Sequence, residues 1–157
     1  MGKIINLNQL ADIKKSCKKI VLVGGCFDLF HIGHLRFLES SRNTDAVLVV
    51  LLESDETVKQ LKGSDRPIHT QTERAEILSH LDLIDFVILL PPEMKDLDYL
   101  AIIKTIKPEI ISVTEFDPMI NKKQLQADLV SAKLIIIPKS KAPSTSKIAN
   151  ILTKEQV

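Results

Sequence analysis

The stretch KIVLVGGCFDLFHIGHLRFLESSR, residues 19–42, decides the fold of this chain. It begins with an apolar run at residues 19–23 that has no polar alternation, which is typical of a strand buried on both faces. Two adjacent glycines, Gly24 and Gly25, follow that run, and a segment with helical spacing extends over about residues 33–42. The stretch is therefore predicted to form a strand, a glycine turn and a helix in succession.

The same alternation continues along the rest of the 157 residues. Further apolar runs, rich in Val, Ile and Leu, occupy residues 46–52, 86–90, 110–113 and 134–137. Segments with helical spacing occupy about residues 7–18, 70–80, 96–106, 121–131 and 145–153. Strand–helix alternation with short links predicts right-handed βαβ units and a parallel sheet.

We therefore expect an α/β fold: a single Rossmann-like, doubly wound domain with a five-stranded parallel sheet and helices on both faces. A leading helix within residues 1–18 would precede a core of residues 19–157. The length supports one domain of ordinary size and is too short for two.

Composition excludes several classes of function. The chain has 21 Lys and Arg against 20 Asp and Glu, so its formal net charge is +1. Neither a basic surface for nucleic acid nor an acidic, disordered chain is indicated. The longest apolar runs are far shorter than the ~20 residues of a membrane span, and the N-terminus has no apolar signal core. We expect a cytoplasmic protein with neither nucleic-acid nor membrane partners.

The two cysteines, Cys17 and Cys26, lie nine positions apart and outside any CxxC pattern. A disulfide framework or a cysteine-based metal site is not indicated by that spacing. His31 and His34 lack a third ligand in the sequence, so zinc is not expected either. We predict no protein-bound metal.

The two histidines instead indicate a phosphate site. In a parallel α/β sheet, ligands bind beyond the carboxyl ends of the strands. His31 and His34 are three positions apart at a helix start, so their rings point the same way, and Gly33 leaves the approach open. The helix N-terminus adds N–H donors and partial positive charge. The alternative is a pair of ordinary capped histidines.

The motif GGCFDLFHIGH resembles the signature of the cytidylyltransferase-like nucleotidyltransferase family, in which HxGH follows a G-x-F-D turn. The resemblance implies that His31 and His34 contact the phosphates of a nucleotide and stabilise charge as pyrophosphate leaves. It also implies backbone donors in the turn and a carboxylate that holds it. The implied nucleotide-binding residues here are Gly24, Gly25, Cys26, Phe27, Asp28 and Gly33.

A mixed-charge stretch between Glu53 and Arg74 leaves the ligand edge of the sheet, and read alone it is typical of a solvated loop. Its order resembles the SDE…LKG…RP…ER series of the bacterial D-glycero-β-D-manno-heptose 1-phosphate adenylyltransferases. The resemblance implies that Lys62 binds phosphate in catalysis and that Arg74 reaches the nucleotide. Lys59 is a further substrate-binding candidate.

Near the C-terminus, Ser144 suits a helix N-cap, and a plain capping box is the simplest interpretation. The family carries an S-(S/T)-(S/T) turn at this point, which binds nucleotide phosphates opposite HxGH. The resemblance therefore implies that Ser144, Thr145 and Ser146 bind the nucleotide. Lys139 stands where cytidylyltransferase relatives have an arginine, which makes it a substrate-binding candidate.

The chain departs from the heptose pattern after its fourth apolar run. There the heptose enzymes carry K-G-G-D-Y, whereas this sequence reads TEFDP at residues 114–118 and retains only the aspartate, Asp117. Thr114 and Asp117 are the substrate-binding candidates on this loop. The change leaves the acceptor substrate open.

The resemblance implies transfer of a nucleotidyl group from a nucleoside triphosphate, accompanied by Mg²⁺, to a phosphorylated small molecule. ATP with heptose 1-phosphate is the first expectation. CTP with glycerol 3-phosphate, ATP with flavin mononucleotide, and a non-catalytic nucleotide-binding protein are the alternatives. A domain of a kinase–transferase fusion and a homodimer also remain open.

Overall fold

The structure, a computed structural model, describes residues 1–17 and 19–139 together with residues 147, 148, 150 and 151. Its strands are β1 (Lys3–Ile5), β2 (Ile20–Gly25), β3 (Val47–Leu52), β4 (Phe86–Leu89), β5 (Ile110–Thr114) and β6 (Lys133–Ile137). Its helices are α1 (Leu10–Ser16), α2 (Ile32–Ser41), α3 (Asp55–Lys62), α4 (Gln71–Ser79), α5 (Asp96–Ile106) and α6 (Ile120–Leu129).

The six strands form one sheet in the order β1-β4-β3-β2-β5-β6, and every neighbouring pair is parallel. The expected α/β fold with a parallel sheet is confirmed, but the expected number of five strands is wrong. The extra strand is β1, which pairs with β4 at the edge of the sheet. It has three residues, too few for periodicity to reveal, and it lies within the segment predicted as a leading helix.

Backbone contacts hold the short edge strand in place. The N–H of Gly2 donates to the carbonyl of Ser79 at 2.7 Å. A Cβ at Gly2 would lie 2.6 Å from the carbonyl oxygen of Ile84, so only glycine permits this close approach. The leading segment therefore enters the sheet before it turns into α1.

Alternating side chains of the strands supply two separate apolar cores. Leu22, Leu51 and Val113 face one core, which α1, α5 and α6 cover. Val23 and Leu52 face the other, which α2 and α4 cover. The first is called the α5 core and the second the α2 core.

The mixed charge of residues 55–62 predicted a solvated loop, but these residues form the helix α3. The Ser54 side chain caps this helix by accepting the N–H of Thr57 at 3.1 Å, and Gly63, at φ 102°, ends it. Val58 is its buried residue, so one apolar contact fixes a helix whose other side chains are mostly polar. Most of the helix predicted at 145–153 lies outside the described residues.

The order of the strands fixes where a ligand can bind. The chain passes from β2 to β3 and β4 on one side, then crosses to β5 through α5. The direction of winding therefore reverses between β2 and β5, and a crevice opens at the carboxyl ends of these strands. Across the described ranges, no helix is long and apolar enough to cross a membrane.

Candidate active site

The turn after β2 is strained and closely packed. Phe27 and Leu29 both have φ 47°, in the left-handed region that side chains rarely adopt. A Cβ at Gly25 would lie 3.0 Å from Cε2 of Phe27, so the buried ring would have to shift to admit any other residue there. A Cβ at Gly24 would meet Leu51 at an ordinary 3.8 Å, so protein packing alone does not demand glycine at that position.

His31 and His34 cap the N-terminus of α2 reciprocally. His31 is the N-cap residue, and its Nδ1 accepts the N–H of Gly33 at 3.0 Å. The Nδ1 of His34 accepts the N–H of His31 at 3.3 Å. The two rings stack with centroids 3.8 Å apart, and His34 also lies against Phe27 and Phe30. The prediction that both rings point the same way is confirmed by this stacking.

These contacts determine the protonation of both rings. Burial lowers the pKa of His31, and burial followed by the neighbouring His31 lowers the pKa of His34 to about 3. Both rings are therefore neutral at pH 7. Because each Nδ1 accepts a hydrogen bond, the proton of each neutral ring is on Nε2. The pair presents N–H donors, which suit the oxygens of a phosphate.

Asp28 joins this turn to the loop before α4. Its buried carboxylate accepts hydrogen bonds from Nε of Arg66 at 2.5 Å and from the N–H groups of Ile68 and His69 at 3.0 and 3.1 Å. Burial raises the pKa of Asp28, but the bonds from His69, Ile68 and Arg66 outweigh it, so the net pKa lies below 3.8. Asp28 thus supports the turn, and its oxygens are engaged within the protein.

Arg74, which its motif placed at the nucleotide, is buried and held by several hydrogen bonds. Its side chain is 0% exposed. Nη1 donates to the carbonyl of Cys26 at 2.5 Å, Nη2 to the carbonyl of Glu53 and to Asp55, and Nε to the carbonyl of His69. The donors of Arg74 thus bind three loops of the ligand edge, and its contact with a nucleotide stays a prediction. We propose that it acts as a positioning residue.

Two lysines of α3 were predicted to bind phosphate or substrate. Burial and Glu53 raise the pKa of the Cys26 thiol, and the charges of Lys62 and Arg74 lower it. The exposed Lys62 is therefore near enough to the glycine turn to act on it electrostatically. Lys59 is exposed one turn earlier, and the structure gives it no contact with the turn.

The opposite side of the crevice holds a pair of residues that motif reasoning missed. Glu53, directly after β3, accepts a hydrogen bond from the hydroxyl of Tyr99 on α5 at 2.8 Å. Burial raises the pKa of Glu53, and burial followed by the Glu53 charge raises the pKa of Tyr99. The position of Glu53 at the end of an apolar run could have marked it as a site residue. Nothing in the sequence indicated that it pairs with Tyr99.

The loop at residues 114–118 borders the same side. Asp117 accepts the N–H of Met119 at 2.8 Å and the Nζ of Lys123 at 2.7 Å, so its carboxylate holds the start of α6. Thr114 is half-buried at the end of β5. Lys139 is exposed, and its N–H reaches Glu115 at 3.3 Å. Ser144, Thr145 and Ser146 lie outside the described residues.

One cleft in the described part of the chain, about 420 Å³, lies away from the histidines. It is lined by apolar residues of the leading segment and α5, together with the loop that connects β4 to α5, including Leu10, Pro92 and Ile102. Within the described ranges, no group of three or more His, Cys, Asp or Glu could hold a metal ion. Residues 26–31, which connect β2 to α2 and end at His31, are called the histidine turn, and none of them lines this cleft.

The winding of the sheet and the turn that follows β2 define a class: α/β domains with a nucleotide-phosphate crevice at the switch point of a parallel sheet. The family model described as Cytidylyltransferase-like matches residues 22–155. This chain belongs to the cytidylyltransferase-like family, and its domain is of the nucleotidyltransferase type.

Curated relatives point in the same direction. The bifunctional protein HldE of Campylobacter fetus is 41% identical over 109 residues, which are 69% of this chain and 23% of that protein. The bifunctional protein HldE of Helicobacter hepaticus is 33% identical over 158 residues, covering 99% of this chain and 31% of the relative. The chain thus spans less than a third of the length of either relative.

A solved structure extends the likeness to three dimensions. The lipopolysaccharide core biosynthesis protein from Thermoplasma volcanium superposes with a TM-score of 0.61 at 26% identity. The match covers 80% of this chain and 98% of that protein. The two chains therefore share most of their architecture.

Proposed function

We propose that this chain transfers a nucleoside monophosphate group from a nucleoside triphosphate, ATP in the first instance, to a phosphorylated small molecule. A phosphate oxygen of the acceptor attacks the α-phosphorus, the bond from that phosphorus to the bridging oxygen breaks, and pyrophosphate leaves. No protein nucleophile is needed, so positioning and charge stabilisation supply the catalysis. Residues 1–157 act as a single nucleotidyltransferase domain in this proposal.

The observation that carries the proposal is the reciprocal cap of His31 and His34. Each Nδ1 is occupied by a backbone N–H, so each neutral ring donates from Nε2 at the N-terminus of α2. Donors fixed in advance stabilise charge that develops on phosphate oxygens without reorganising. The stacking of the rings keeps both in that orientation.

The other groups have supporting roles. Backbone N–H groups of Gly25, Cys26 and Phe27 approach the phosphates, and Gly24 and Gly33 leave room for them. Lys62 adds a mobile positive charge, and the hydroxyls of Ser144, Thr145 and Ser146 are proposed to bind the phosphates from the other side.

Mg²⁺ is treated as part of the nucleotide substrate, because a hard cation bound to triphosphate keeps several of its waters. Two carboxylates near the turn fit this assignment, since Asp28 and Asp55 are paired with Arg66 and Arg74. The ion would offset the charge of the departing pyrophosphate.

A sugar phosphate, with heptose 1-phosphate first, is the proposed acceptor. Support comes from the match to HldE proteins and from the solved structure of a lipopolysaccharide core biosynthesis protein, because such a core consists of sugars. Lys59, Thr114, Asp117 and Lys139 are the proposed acceptor contacts. CTP with glycerol 3-phosphate or a related phospho-alcohol is the second candidate, because the departure from K-G-G-D-Y at residues 114–118 leaves the base and the acceptor open.

The test is pyrophosphate release with Mg²⁺, using ATP and CTP separately against sugar phosphates, glycerol 3-phosphate and flavin mononucleotide. We expect release with one pair, and a loss of about 10²–10³ in turnover for His31→Ala and for His34→Ala. Turnover near the wild-type rate in both variants would rule out the mechanism. The exposed His80→Ala variant is the matched control.

A further inference from the structure

The backbone of Glu53 is fixed beside the glycine turn. Its N–H donates to the carbonyl of Gly25 at 3.1 Å, and its carbonyl accepts Nη2 of Arg74 at 2.9 Å. Glu53 therefore emerges from β3 next to the residues that lead to the histidines. Its side chain lies on the α5 side of the sheet, because it contacts Tyr99.

The carboxylate of Glu53 keeps one acceptor open. Oε2 accepts the hydroxyl of Tyr99, and among the described residues no donor contacts Oε1. The residue is half-buried, and burial raises its pKa. A partly desolvated carboxylate oxygen favours a hydrogen-bond donor over an empty contact.

The charged groups around Glu53 determine which donor fits. Lys123 lies near enough to lower the pKa of Glu53, yet its ammonium is paired with Asp117 at 2.7 Å. The ammonium of Lys123 is therefore already paired and does not attract a second phosphate beside Glu53. Neutral donors such as hydroxyl groups match a carboxylate oxygen beside a tyrosine.

We propose that Glu53, oriented by Tyr99, binds a hydroxyl group of a polyhydroxylated acceptor phosphate, which makes it a specificity-determining residue for sugar or polyol phosphates. The inference rests on the proposed function, with the acceptor phosphate lying toward the histidines. Tyr99 is a positioning residue, since its hydroxyl fixes the rotamer of Glu53.

The test measures acceptor binding separately from turnover. Isothermal titration of mannose 1-phosphate, glycerol 3-phosphate and ethyl phosphate, which has no alcohol hydroxyl group, is carried out with a non-hydrolysable ATP analogue and Mg²⁺ present. We expect Glu53→Gln and Tyr99→Phe to weaken the better-bound hydroxylated probe by about 10- to 100-fold. The Kd of the ATP analogue should change less than about twofold, and Glu56→Gln, an exposed carboxylate of α3, should leave both values unchanged.

The outcomes separate this inference from the proposed function. Probe binding that is insensitive to both Glu53→Gln and Tyr99→Phe would overturn the subsite, as would ethyl phosphate binding more tightly than both hydroxylated probes. If the wild-type chain binds neither hydroxylated probe, the subsite is also overturned. A third outcome is that Glu53→Gln weakens probe binding while the wild-type chain releases no pyrophosphate with any acceptor. That outcome would contradict the proposed function and leave the subsite standing.

Discussion

Asp28 and Arg66 form a buried ion pair that joins two loops 38 residues apart in the chain. The two side chains are 1% and 10% exposed. Because Asp28 also binds the N–H groups of Ile68 and His69, the loop before α4 and the turn before α2 move as one unit. The shape of the histidine turn therefore depends on a carboxylate that is buried and bonded within the protein.

Asp28→Asn should destabilise the fold by about 3 kcal/mol, because it leaves the Arg66 guanidinium buried without its counter-charge. Urea denaturation at neutral pH measures the change. Asp65→Asn removes an exposed carboxylate of the same loop and should alter the free energy of unfolding by less than about 0.5 kcal/mol. Equal effects of the two variants would contradict the role assigned to Asp28.

The ion pair also predicts a dependence on pH. The pKa of Asp28 in the folded chain is below its ordinary value of 3.8, so its contribution is complete above 3.8. That contribution is lost as the pH falls through the lower, folded-state pKa. In Asp28→Asn, the free energy of unfolding should therefore fall less steeply below pH 3.8 than it does in the wild type.

His34 should show no titration near 6.5, because its pKa in the folded chain is about 3. Long-range proton–nitrogen spectra should give a neutral ring with its proton on Nε2 from neutral pH down to acid unfolding. The unfolded chain takes up this proton near 6.5, so acidification from 6.5 toward 3 favours unfolding. A folded protein whose His34 titrates near 6.5, or carries its proton on Nδ1, would contradict the reciprocal cap.

Arg74→Lys distinguishes a positioning role from direct contact with the nucleotide. Lysine keeps the charge but cannot reach the carbonyls of Cys26, Glu53 and His69 together. We expect a loss of about 2 kcal/mol or more in stability, because buried acceptors lose their donors. Unchanged stability with a raised KM for the nucleotide would restore the direct contact that the sequence motif implied.

Gly24→Ala and Gly25→Ala should behave differently. A methyl group at Gly24 meets Leu51 at 3.8 Å, so the free energy of unfolding should change by less than about 0.5 kcal/mol. The methyl group would stand where a phosphate approaches, so nucleotide binding should weaken about tenfold, which is 1.4 kcal/mol. Gly25→Ala pushes the ring of Phe27 and should destabilise the fold by about 1 kcal/mol or more. Unchanged nucleotide affinity in Gly24→Ala would remove Gly24 from the site.

The sequence predicted those strands and helices that hydrophobic periodicity alone identifies. The apolar runs that form β2 to β5 are largely buried, and such runs are visible without tertiary information, as is the more exposed run of β6. The edge strand β1 was missed because its three residues gain their structure from β4 and from the space that Gly2 leaves beside Ile84. The helix α3 was missed because a cap at Ser54 and one buried valine define it.

In the candidate site, too, the sequence predicted what depends on local spacing and missed contacts between distant residues. Spacing alone placed His31 and His34 together at a helix start, and their stacking agrees with it. The buried state of Arg74 could not be read from its motif, because its acceptors are carbonyl groups from three loops. The pairing of Glu53 with Tyr99 joins residues 46 positions apart and left no trace in the sequence.

The two apolar cores have a consequence for how such a domain diversifies. The histidine turn rests on the α2 core through Phe27 and Phe30, whereas Tyr99 packs against the α5 core on the other side of the sheet. Substitutions in the α5 core therefore act on the side of the sheet that holds Tyr99, whereas substitutions in the α2 core act beneath the two histidines. Under the proposed function, the side that selects the acceptor can change while the packing beneath the phosphate-binding histidines is kept.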